Sequence, residues 1–314
     1  MKDYISANAN RSIPVGYSAA DVRPILLDTL DYFMCNMENS TSSRSDFFGL
    51  NSYSWCGDSS YTTSGYDVLT EDFSNATLPV FFSEYGCNSV MPRTFTEVQA
   101  LYGKEMDQVF SGGLVYEWTQ EANDYGLVAI NSSDTATLLR DYEYLTEQFA
   151  KVDMTSIESS NSTQTSLEPV TCSASLITNS TFLNSWDLPT RPSKVADWIK
   201  SGYTNVTAGA LVSVSSTAIP QTIYDYNGNK VSDVKYKVLS SDESNTPNNS
   251  TSLVSSTSNS SSSSSSGSAS ASASASASAS SSAASSVSGA TAGHLSASFM
   301  GLLTGATLFA VFML

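Results

Sequence analysis

The chain has 314 residues, with 14 Lys and Arg against 30 Asp and Glu, a formal net charge of −16, four Cys and one His. That charge argues against nucleic acid as a partner, since nothing here neutralises a run of phosphates and no Lys or Arg follows Lys237. The one histidine, His294, lies in the C-terminal tail, so a Ser-His-Asp or Cys-His nucleophile lacks its base and a histidine-held zinc lacks its ligands. Chemistry falls to carboxylates and tyrosines, with no metal or cofactor expected. An acidic surface keeps a protein soluble. It also suits a neutral polymer, which is gripped by aromatic faces and hydrogen bonds rather than by cations.

In chain order, strands and helices alternate. SIPVGYS (12–18) is a short apolar run closing on polar residues, a strand. DVRPILLDTLDYFMCN (21–36) sets Val22, Ile25, Leu26, Leu30 and Phe33 at helical spacing. DFFGLNSYSW (46–55) and PVFFSEYG (79–86) read as strands. TFTEVQALYGKEMDQVF (94–110) reads as a helix opened by a Thr94-x-x-Glu97 capping box. GGLVYEWTQE (112–121) is a further strand, and DTATLLRDYEYLTEQFAKV (134–152) a closing helix.

Strands this continuously apolar, alternating with helices, imply a parallel sheet in an α/β fold. Four such units are half of an eightfold (β/α)8 barrel, a fold whose functional side chains project from the C-terminal strand ends. Those ends here carry Tyr17-Ser18, Asn51-Ser52-Tyr53, Glu84-Tyr85 and Tyr116-Glu117-Trp118. Glu84 stands out, because a carboxylate closing an aromatic, apolar strand is costly unless it is paired or used.

Residues 153–240, with Cys172, Trp186 and Trp198, read as an extension packed on this body. The Ser/Ala-rich tract of 241–290 cannot form a core and reads as a disordered, O-glycosylated stalk. The segment 291–314 resembles a GPI-attachment signal. Small residues at Ser288, Gly289 and Ala290 precede a polar spacer, and an uncharged apolar run from Phe299 to Leu314 follows. That run is short of the roughly 20 residues a membrane span needs, so a GPI lipid at Ser288 or Gly289 is expected to hold the protein at the outer face of the plasma membrane and in the wall. The N-terminus has no signal-peptide pattern, and the sequence is therefore expected to be incomplete there. Sequons at Asn10, Asn39, Asn75, Asn131, Asn161, Asn179, Asn205, Asn248, Asn249 and Asn259 favour secretion. In a secreted chain, Cys35, Cys56, Cys87 and Cys172 suggest two disulfides; in the cytosol they would be buried thiols.

The motifs KDYI, IPVGYS, DYFMCN, FFGLNSYSWCG, LPVFFSEYGCN, PRTFTEVQALYG, VFSGGLVYEW and EANDYGLV, in this order, resemble the fungal β-1,3-glucanosyltransferases of glycoside hydrolase family 72, the Gas/Gel/Phr group. The resemblance runs from about residue 2 to 130, and more weakly to Cys172. It implies a retaining (β/α)8 barrel of which this chain holds strands five to eight, with residues 1–152 as the C-terminal half. It further implies Glu84 as the nucleophile at the end of strand seven, Tyr53 and Tyr116 lining the sugar site, and disulfides Cys56–Cys87 and Cys35–Cys172. The implied partner is β-1,3-glucan, as donor and as acceptor.

Chemistry supports those roles. Retaining cleavage needs two carboxylates roughly 5 Å apart, one the nucleophile and the other acid, then base. Tyr53, Tyr116 and Trp118 supply aromatic surfaces that hold an acceptor and exclude water. The resemblance puts the acid/base, in an Asn-Glu pair, on a strand before Met1. Glu38, Glu117 and Glu121 are poor substitutes by position, so the chain alone is expected to be inactive. The alternative is a catalytically dead, GPI-anchored wall glycoprotein that binds glucan or is structural.

Overall fold

The computed structural model describes residues 1–37, 41–132, 134–159, 167–183, 185–186, 190–204 and 216–236. Glu38, the 241–290 tract, Ser288, Gly289, His294, the apolar run from Phe299 and the sequons at Asn39, Asn161, Asn205, Asn248, Asn249 and Asn259 lie outside them. A short helix, α1 (Lys2–Asn8), leads into four strands: β1 (Tyr17–Ala20), β2 (Phe48–Asn51), β3 (Val80–Tyr85) and β4 (Phe110–Val115). They form one parallel sheet in the order β1-β2-β3-β4. Each strand therefore lies beside its predecessor, as the strand-helix alternation predicts. The connections carry α2 (Arg23–Met34), α3 (Tyr66–Asp72) and α4 (Val98–Leu101).

The sheet is asymmetric in chemistry. Phe48, Leu50, Val80, Phe82 and Phe110 pack with Leu26, Leu30, Leu69, Phe73, Val98 and Leu101 in one buried core. Phe82 meets Phe110 at 5.0 Å and Tyr66 at 5.1 Å between ring centroids, and Phe73 bridges Phe48 and Phe110. Burial of each such side chain is worth about 1.5–3 kcal/mol. The other face carries a polar trio, in which Ser18 Oγ and Ser83 Oγ lie 3.0 and 2.6 Å from Asn51 Oδ1. Gly49 belongs to this face: a Cβ there would sit 2.6 Å from Ser83 Oγ.

Four expected elements differ. The strand expected over 12–18 lies instead at Tyr17–Ala20, so Tyr17 and Ser18 open β1 rather than close it and are not at its C-terminal end. The helix expected over 94–110 is helical only at Val98–Leu101, and the Thr94-x-x-Glu97 box does not form: Glu97 occupies the N-cap position without a side-chain cap, its carboxyl buried instead. The chain then tightens at Gly103, where a Cβ would lie 2.3 Å from the Gln99 carbonyl oxygen. The helix expected over 134–152 begins only at Arg140 as α5 (Arg140–Phe149). Its first residues form β6 (Thr135–Leu138), antiparallel to β5 (Val128–Ser132). The β-branched Thr135 and Thr137 suit a strand better than a helix. The strand expected over 112–121 ends at Val115, so Tyr116, Glu117 and Trp118 stand in the loop beyond it.

After α6 (Met154–Ser159), the extension straps the outer helices. Cys172 is bonded to Cys35 at the end of α2, and both Asp28 oxygens accept backbone N–H groups, from Thr178 at 2.7 Å and Asn179 at 2.9 Å. Tyr32 packs on Phe182 and Trp186. Helix α7 (Ser193–Ser201) then lies on α1, where Asn8 donates to the Ile199 carbonyl and Tyr4 accepts from the Tyr203 N–H. The chain returns as β7 (Thr222–Tyr224), parallel to β6. Among the described residues, no helix is long and apolar enough to cross a membrane.

Candidate active site

The C-terminal ends of β2, β3 and β4 converge on Glu84. Leu50 pairs with Phe82 but Asn51 with Glu84, so Ser83 is an extra residue in β3. Such a bulge re-aims the side chains around it. Ser83 stays on Asn51, while the Glu84 carbonyl still accepts the Ser52 N–H at 2.9 Å. The Glu84 carboxylate accepts the Tyr53 hydroxyl at 2.7 Å, which answers the cost of placing an anion at this strand end. Burial, then the hydrogen bond to Glu84 and its charge, push the Tyr53 phenol far above its ordinary range, so it remains a neutral donor.

Tyr53, Tyr116 and Tyr125 form an edge-on cluster, with centroids 5.6 Å apart for Tyr53–Tyr125, 5.3 Å for Tyr116–Tyr125 and 6.4 Å for Tyr53–Tyr116. Desolvation raises the Tyr116 pKa, assisted by the charge of and a hydrogen bond to Glu117, and by the charges of Glu84 and Glu121. Glu117 is held at 2.8 Å by Asn123 Nδ2. Trp118 stands apart from the tyrosines: it is 60% exposed and its ring meets Tyr142 of α5 edge-on.

Two features frame the cluster. The Cys56–Cys87 disulfide ties the loop after β2 to the loop after β3, and with Cys35–Cys172 it leaves no free cysteine among the described residues. These are the pairs the resemblance implies. Behind the tyrosines lies Arg93, buried, paired with Asp141 of α5 and hydrogen-bonded to the carbonyls of Tyr116 and Tyr125. No His/Cys/Asp/Glu group among the described residues is suited to hold a metal ion.

The sequence pattern picks out Glu84, Tyr53 and Tyr116, which the fold brings together. It passes over Tyr125, Arg93 and Asp141. Tyr125 sits in EANDYGLV, but next to Gly126 it reads as a turn residue. Arg93 in PRTF reads as a solvated loop cation, and only its tertiary partners mark it otherwise.

This is an α/β protein with a parallel sheet, bearing a tyrosine-held carboxylate at its strand ends. Residues 1–153 match the model of glycoside hydrolase family 72, described as Glucanosyltransferase. The chain is 64% identical over 247 residues to 1,3-beta-glucanosyltransferase gel2 of Aspergillus fumigatus, covering 79% of this chain and 52% of that protein. It is 43% identical over 261 residues to the probable 1,3-beta-glucanosyltransferase GAS3 of Saccharomyces cerevisiae, covering 79% and 49%. Among solved structures, Saccharomyces cerevisiae Gas2p in complex with laminaripentaose superposes with a TM-score of 0.53 at 40% identity, over 62% of this chain and 42% of that one. The chain belongs to the family 72 glucanosyltransferases. It spans about half the length of these two relatives.

Proposed function

We propose that this chain is the nucleophile-bearing part of a β-1,3-glucanosyltransferase. In this reading the four-stranded sheet is strands five to eight of an eightfold barrel, and Glu84 closes the seventh. The observation that carries the reading is the 2.7 Å hydrogen bond from Tyr53 to Glu84, which leaves the second carboxylate oxygen free of that bond and available for attack.

Glu84 attacks the anomeric carbon of a β-1,3-linked glucose, forming a glucosyl-enzyme as the bond to the leaving glucan oxygen breaks. That oxygen takes a proton from a carboxylic acid, which lies, by resemblance, in the part of the relatives that this chain does not span. The resulting carboxylate then removes the proton from a hydroxyl of a second glucan, whose oxygen displaces Glu84 and restores the β configuration. The Tyr53–Tyr116–Tyr125 cluster favours a sugar over water as the acceptor by offering apolar ring surface beside the intermediate. A GPI lipid at Ser288 or Gly289 would hold the protein at the outer face of the plasma membrane, where its glucan substrate is laid down.

A donor with an activated leaving group needs no acid, so it tests Glu84 alone. A 2,4-dinitrophenyl 2-deoxy-2-fluoro-β-laminaribioside is expected to leave a fluorinated disaccharide on the peptide carrying Glu84, detected by mass spectrometry, and to leave none on Glu84→Gln. Laminaripentaose, which lacks such a leaving group, is expected to pass through the 314-residue chain unchanged. An adduct on another residue, or none on the wild-type chain, would remove Glu84 from the reaction and leave a glucan-binding or structural wall protein.

A further inference from the structure

We infer that Arg93, braced by Asp141, is a positioning residue that sets the tyrosine cluster around Glu84. The inference deepens the proposed glucan site and rests on that reading for its effect on sugar. A guanidinium has five N–H donors in a fixed plane, and here five acceptors meet them. Nε donates to Asp141 Oδ2 at 2.6 Å. Nη1 donates to the carbonyls of Tyr116 at 2.8 Å and Gly86 at 3.4 Å. Nη2 donates to those of Tyr125 at 2.6 Å and Gly126 at 3.4 Å. The cation also lies 4.8 Å from the Phe95 centroid and 5.7 Å from that of Tyr125.

The acceptors are not one local turn. Gly86 follows Glu84 by two residues at the end of β3, Tyr116 follows β4, and Tyr125 and Gly126 precede β5, while Asp141 comes from α5. One side chain therefore fixes the backbone from which two of the three cluster tyrosines project. Stability alone accounts poorly for the arrangement. A buried ion pair recovers little net free energy, and apolar replacements of similar volume are often neutral. What apolar replacements lack is the means to tie three loop segments at set distances.

Arg93→Lys keeps the charge beside Asp141 but has three donors on one atom, too few and too close together for this set. With the full 314-residue chain carrying ring-labelled tyrosine, the NMR signals of Tyr116 and Tyr125, whose carbonyls Arg93 holds, are expected to move toward those of unstructured tyrosine, and that of Tyr53 to shift less. Those of the core residues Tyr66 and Tyr85 are expected to stay, with the far-ultraviolet circular dichroism unchanged. In labelling with the activated fluorosugar, the concentration for half-maximal rate is expected to rise about tenfold or more, as charge-assisted hydrogen bonds are lost. The limiting rate is expected to hold within about threefold, because Tyr53 still bonds Glu84. Asp141→Asn, which keeps all five acceptors but removes the countercharge, is expected to give a smaller shift in both readouts, and it decides the matter if Arg93→Lys does not fold. Unmoved cluster signals in a folded variant overturn the inference. An unlabelled wild type defeats the nucleophile reading instead, and the tyrosine spectra still decide the role of Arg93.

Discussion

Replacing Cys35 and Cys172 together by serine is expected to cost about 5 kcal/mol of unfolding free energy, against about 4 kcal/mol for the Cys56/Cys87 pair, both by urea denaturation. The difference follows from the loops closed: the sequence separations are 137 and 31 residues. A longer closed loop removes more freedom from the unfolded chain, though only logarithmically. The two losses should also be distinguishable in kind. Without Cys35–Cys172, the strap over α2 is held by the Asp28 contacts to Thr178 and Asn179 and by Tyr32 on Phe182 and Trp186. Asp31 on that helix has its pKa pushed up to about 6 by burial and then by the charge of Asp28. Without Cys56–Cys87, the damage falls between Tyr53 and Glu84, and labelling of Glu84 should suffer more than from the larger thermodynamic loss at Cys35–Cys172. If the Cys56/Cys87 variant proves the less stable of the two, native packing at the site outweighs loop entropy.

The sheet was readable because its strands are nearly uninterrupted apolar runs, and four of them in series leave few topologies to choose among. Glu84 was readable for the opposite reason, as the acidic residue such a run should not hold without use. Legibility failed wherever a short local pattern met a strong tertiary demand. Thr135–Leu138 continues a helical-looking stretch, but pairing with Val128–Ser132 gives its backbone partners that a lone helical turn would lack. Helix α3 is only seven residues long, too brief for its Tyr66, Leu69 and Phe73 spacing to stand out, although all three are in the core. Arg93 and Asp141 lie 48 residues apart, so nothing local announces that they meet. The site was thus legible to the depth of the side chains at its strand ends, and not to the layer that holds them.

Glu97 is where that hidden layer yields a large and measurable effect. Its position in Thr94-x-x-Glu97 suggests a solvent-facing cap; in the fold it is 4% exposed, and burial pushes its pKa from 4.5 up to about 7, with Arg93 only partly opposing the shift. The folded state therefore holds a proton that the unfolded chain releases between about pH 4.5 and pH 7. Stability from this group is fully present below the unfolded value and is lost as pH rises through the folded one, by about 1.4 kcal/mol per unit, or about 3 kcal/mol in all. Glu97→Gln fixes the neutral form and should abolish that loss. For a folded body of this size, about 3 kcal/mol corresponds to a melting-temperature difference of about 6–12 °C. Scanning calorimetry is expected to find the variant and the wild type nearly alike at pH 4.5, with the variant higher by that amount at pH 8. Both should retain a smaller decline through pH 6 from Asp31, whose shift has the same sign. Parallel melting curves across this range would mean that Glu97 stays charged in the fold. Its carboxylate would then have to share Arg93 with Asp141, and the five-acceptor geometry around that guanidinium would need to be redrawn.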